Sequence, residues 1–112
     1  MGHEYQDRVS LAMGRMIAAE LPRRPEWLAK ARSNLERWKA RNADAPSLVR
    51  CYDEWLSILE RPLEEICAIL TAETDDGQRL RQNSPFAGVL SPRTVWDLKK
   101  RLKHESDPSL ST

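Results

Sequence analysis

Phenylalanine occurs once in this chain, histidine and cysteine twice each, and glycine four times. Each scarcity closes off a class of function. Cys51 and Cys67 sit among helical apolar residues, a setting for buried free thiols and not for a disulfide framework or a zinc site. His3 and His104 stand at opposite ends, so a histidine-based metal site lacks local ligand spacing, and neither a metal nor another cofactor is expected. Gly77 is isolated, with no phosphate-cradling glycine loop and no Lys-Ser/Thr after it. No apolar run approaches the roughly 20 residues that cross a bilayer, and MGHEYQDR lacks the basic-then-apolar order of a signal peptide. Those absences point to a cytoplasmic protein with no membrane partner.

Catalytic constellations are missing as well. The pairs Glu64/Glu65 and Asp75/Asp76 are adjacent on their helices, where neighbours diverge by about 100 degrees, so neither pair converges locally. Helix capping and solvated charge account for them. Ser84 and Ser91 each precede a proline, have no identifiable general base, and default to capping. No catalytic residue is assigned, and an enzyme is not expected.

What is present is tryptophan, charge and helical periodicity. Four Trp in a chain of 112 residues favour a protein-binding surface, since tryptophan anchors cores and binding hot spots alike. Hydrophobic content of 40% with 31% charge fits a folded domain, and the length accommodates one core. The formal net charge of +1 conceals blocks: residues 21–50 are basic, 51–76 acidic and 77–104 basic. Either neighbouring helices neutralise one another, or a basic block faces an acidic partner or nucleic acid.

The pattern predicts an all-α fold of five or six short helices, with a long apolar loop before the last one. The first helix spans Glu4 to Leu21, with Tyr5, Val9, Ala12, Met13, Met16 and Ala19 on its apolar face and Pro22 closing it. Pro25 opens a second, to Arg41, with a seam of Leu28, Ala31, Leu35 and Trp38 and with Trp27 at its edge. NADAPS, Asn42 to Ser47, is a turn; a third helix comes next, from Leu48 to Glu60, and a fourth starts at Pro62. Thr74 caps a short helix through Gln82, and Ser91-Pro92 starts the last, to His104. One helical domain over residues 1–104 is expected, with a possible mobile arm from Asn83 and a disordered tail over 105–112.

The stretch from Glu54 to Trp96 organises the rest, because it joins the most apolar helices to the loop Asn83–Ser91. A loop as apolar as Phe86-Ala87-Gly88-Val89-Leu90 either packs under the fold or inserts into a partner pocket, and the sequence leaves both open. ARSNLERW, EWLSILERPLEEICAIL and above all RQNSPFAGVLSP, Arg81 to Pro92, resemble small bacterial proteins encoded beside nucleotidyltransferase-fold toxins of the AbiEii and MenT type. The likeness covers about Ala31 to Trp96. It implies a non-enzymatic antitoxin that binds its cognate nucleotidyltransferase-like toxin and prevents nucleotide transfer to RNA. It supplies no binding residues; the chain's own pattern nominates Arg79, Arg81, Phe86, Leu90 and Trp96 for partner binding. A helical regulator that binds operator DNA and a structural adaptor that forms a homo-oligomer are the competing readings.

Overall fold

The computed structural model describes residues 4–106, which form six α-helices and no strand. Helix α1 is Glu4–Glu20; Pro22 then forces a single 3-10 turn, Leu21–Arg23, where one more helical residue was expected. Pro25 precedes α2, Glu26–Arg41. Helix α3, Pro46–Ile58, begins two residues before the expected Leu48, because Pro46 has the fixed φ suited to a first helical position. Pro62 takes an extended ψ of 148° and separates α3 from α4, Leu63–Leu70, so the Arg61-Pro62 junction joins two helices. Thr74 accepts the Gly77 amide at 3.0 Å and starts α5, Asp75–Arg81. Ser91 caps α6, Pro92–Ser106, by accepting the Thr94 amide at 3.1 Å. Helix α6 runs through Glu105 and Ser106, which were expected in a disordered tail; the remaining positions of that expectation, 107–112, lie outside the described residues.

Helix α1 carries two apolar stripes, and this decides the architecture. Ile17 and the following Leu21 enter the main core, which joins Ala31 and Leu35 of α2, Tyr52, Trp55 and Ile58 of α3, Ile66 and Leu70 of α4, Leu80 of α5 and the loop residue Phe86. The other stripe, Tyr5, Val9, Ala12, Met13 and Met16, meets Leu98 and Leu102 of α6 in a separate small cluster. Helix α1 therefore packs against α4, α5 and α6, while α2 and α3 pair with each other. Ala19, expected on the apolar face, is exposed; Ile17, not singled out in the sequence, replaces it in the core. Gly14 permits the close crossing of α1 and α4, since a Cβ there would lie 2.1 Å from the Leu70 carbonyl oxygen.

At the centre, Trp55 is fully buried, donates its indole N–H to the Leu80 carbonyl at 2.9 Å, and meets the edge of Phe86 with centroids 6.3 Å apart. Trp38 and Tyr52 make a second ring contact at 5.9 Å between α2 and α3. Trp27 is half-buried against the main core. Cys51 and Cys67 are free and half-buried, less enclosed than expected, and burial pushes both thiols above their ordinary pKa. No helix among the described residues is long and apolar enough to cross a membrane.

Candidate interaction surface

The loop after α5 is folded inward. Ser84 accepts the Phe86 amide at 3.3 Å, turning the chain so that Pro85 and Phe86 enter the main core. Buried Asn34 on α2 donates to the carbonyls of Pro85 at 2.9 Å and Ala87 at 3.4 Å, while Arg37 donates to the Asn34 Oδ1. Gly88 comes next with φ 84°, a conformation that disfavours other residues. Lys30 reaches the Gly88 carbonyl at 3.5 Å. The apolar loop thus packs under the fold, and the backbone carbonyls that its burial would orphan are answered by one side chain of α2.

This separates the five nominated residues. Phe86 is 1% exposed and is a core residue. Arg81 is 6% exposed; its Nη1 donates to the Ala72 carbonyl at 2.6 Å and lies 3.5 Å from the Leu70 carbonyl, capping the negative end of α4. Both are turned away from any partner that approaches the folded surface. Arg79 is exposed but engaged: it makes a two-pronged contact with Glu54 at 3.1 and 3.0 Å and a further one with Asp76 at 2.8 Å. Its hydrogen bonds to Glu54, then to Asp76, hold its pKa further above the ordinary arginine value. Leu90 is half-buried beside the main core. Trp96 is 56% exposed, the large hydrophobic residue that the fold leaves in solvent among the described residues.

Trp96 does not stand alone. Helix α6 buries Leu98 and Leu102 and turns Arg93, Trp96, Asp97, Lys99, Lys100, Arg101 and Lys103 outward. Lys100 Nζ sits 4.9 Å above the Trp96 ring, one helical turn along, which holds both on one face. Lys99, Lys100, Arg101 and Lys103 form no salt bridge with a described residue. Elsewhere charges are taken up: Lys39 of the first basic block pairs with Asp53 at 2.6 Å, and Arg79, early in the carboxyl-terminal block, pairs with Glu54 at 3.0 Å. The basic end of α6 is left over, framing an exposed aromatic ring.

No family model, curated protein or solved structure matches the chain. The site is accordingly defined by its own chemistry. It offers a flat aromatic anchor with positive charge around it, the equipment of a recognition surface. Among the described residues no group of three or more His, Cys, Asp or Glu side chains is placed to hold a metal ion. Two contributors are absent from the residues that the sequence nominates. Asn34 is detectable as a polar residue interrupting the Ala31–Leu35 seam. Lys100 taken singly is only a favourable charge near a helix end, and its place over Trp96 follows from the spacing of four.

Proposed function

We propose that this protein is a cytoplasmic, non-enzymatic antitoxin that binds a cognate nucleotidyltransferase-fold toxin directly, through the outward face of α6. The observation that carries the reading is Trp96, 56% exposed beneath Lys100, on a face where Lys99, Lys100, Arg101 and Lys103 form no salt bridge with a described residue and only Arg93 is paired, with Asp97 at 3.4 Å. A nucleotidyltransferase gathers acidic side chains to hold the metal ions that bind its nucleotide's phosphates, so part of its pocket is negative. A basic helix is attracted to the acidic side of such a pocket, and a tryptophan at its centre supplies the desolvated anchor that charge alone lacks. The resemblance of RQNSPFAGVLSP to toxin-associated proteins supports the same reading, although its Phe86 serves the antitoxin's own core. Leu90 and Arg79 belong to the proposal as flanking contacts, Arg79 on condition that it exchanges Glu54 for a partner carboxylate.

The test is a pull-down of the tagged chain from its native cells with mass spectrometry for a nucleotidyltransferase-fold protein, followed by titration of that protein's nucleotide transfer. Trp96→Ala is expected to weaken the complex by about tenfold or more, in the range of an interface hot spot, and to restore toxin activity at matched concentration. Unchanged affinity would remove α6 from the interface. The basic run also fits nucleic acid, so a salt-dependent shift of operator DNA without toxin binding would favour the regulator instead.

A further inference from the structure

A cavity of about 740 Å³ lies between the N-terminal half of α1, the end of α4, the α5–loop segment and α6. Its volume is that of a small-molecule site. Val9, Met13, Ile17, Leu70 and Phe86 give it apolar walls, and Arg81 is the buried charge that lines it. Exposed Lys99 of α6 lines it as well.

Arg81 is bound to its surroundings by only part of its guanidinium. Nη1 is satisfied by the Ala72 carbonyl, whereas Nε is fully buried and has no hydrogen-bond partner. No carboxylate of the described residues forms a salt bridge with it; the nearby Glu73 is paired with Arg15 at 3.4 Å, and Asp7 acts on Arg81 through its charge without contact. A guanidinium stays protonated and presents five donors, so burying it with carbonyls alone leaves both charge and hydrogen-bonding capacity uncompensated. Capping α4 requires one terminal nitrogen and leaves the rest of the fork over. Gly77 gives the side chain its room, since a Cβ there would come within 3.2 Å of Nη1.

We propose that this cavity binds a small organic carboxylate with an apolar body, Arg81 donating to the carboxylate and the Val9, Met13 and Phe86 wall covering the body. Asp7 and exposed Lys99 at the lining offset each other's charge, and the apolar walls cover an organic body but give inorganic anions nothing to bury. This site does not use Trp96 or Lys100, the centre of the proposed toxin contact, although Lys99 borders both. The experiment is titration of the full chain with octanoate, followed by NMR at the Arg81 Nε–H, which needs no substitution at Arg81 itself. A saturable one-to-one shift of that resonance is expected, with 1-octanol and inorganic phosphate each at least about tenfold weaker, the worth of a charge-assisted contact. Asp7→Asn is expected to tighten octanoate by a few-fold, because it removes a neighbouring negative charge. An unmoved Nε–H, octanol or phosphate binding as well as octanoate, or weaker binding to Asp7→Asn would each overturn the assignment. A blocked glutamate peptide carries the same carboxylate on a protein; if it bound more tightly than octanoate, the small-molecule assignment would also fall.

Discussion

Buried polar residues, more than the apolar ones, show how particular side chains hold this fold in one arrangement. Asn34 donates to two loop carbonyls and accepts from Arg37, so Asn34→Leu, although apolar and similar in size, leaves the Pro85 carbonyl unanswered. A loss of about 1–3 kcal/mol in chemical denaturation is expected. Phe86→Ala removes a ring that packs on Trp55 and is expected to cost about 3–5 kcal/mol, which is a large share of the stability of a domain this size. Combining Phe86→Ala with Arg81→Glu, a natural surface test while both residues are known only from the sequence, instead places a carboxylate against the Leu70 and Ala72 carbonyls. Far-UV circular dichroism of that double variant should show loss of helix. Trp96→Ala touches neither core and should keep the melting temperature within about 3 °C, which makes it the clean probe of binding.

Among the elements, α6 is attached through the smaller of the two core clusters. Its contact with α1 rests on Leu98 and Leu102 against Val9 and neighbouring side chains, together with the Tyr5 hydroxyl donating to the Lys99 carbonyl at 3.0 Å and the exposed Arg8–Glu105 pair at 3.3 Å. The exposed ion pair contributes little, so the leucines carry the attachment. Leu102→Ala should release α6 before the main core: amide exchange is expected to accelerate along 92–106 while amides of α3 and α4 keep their protection. Uniform acceleration across all helices would show that α6 is cooperative with the core. The arm expected from Asn83 is thereby restricted, because the loop that was to serve as its hinge is anchored through Pro85 and Phe86.

For the whole molecule, charge and protonation give the condition dependence. The basic face of α6 predicts that association with the proposed acidic partner slows as salt rises, with the decline concentrated in the association rate, since exposed charges beyond about 10 Å are screened at 0.1 M salt. Cys51 and Cys67 have raised pKa values in the fold, chiefly from burial. The folded state therefore holds their protons at a pH where the unfolded chain has released them. Their contribution to stability is constant below the ordinary thiol pKa and falls as pH rises from that value through the folded one. Replacing both by Ala should flatten the alkaline slope of a urea-denaturation series; an unchanged slope would assign it to other groups.

The helices were legible in the sequence because local rules govern them: proline at Pro22, Pro25, Pro46, Pro62 and Pro92 punctuates the chain, Thr74 and Ser91 cap α5 and α6, and apolar residues recur at three and four. All-α class, the number of helices and the junction at Arg61-Pro62 result from those rules. The candidate surface was legible only in part. Trp96 and the basic end of α6 were marked by composition, but the sequence leaves Phe86 open between the core and a partner pocket and gives no sign that Arg81, on its short helix, is buried. Those partners, the Leu70 and Ala72 carbonyls for Arg81 and Trp55 for Phe86, lie 9 to 31 residues away in the chain, and no periodicity links them. Which stripe of α1 faces the core, which face of α6 remains in solvent, and which basic block finds no acidic neighbour were decided by tertiary packing, because burial is a property of the assembled helices and not of any one of them.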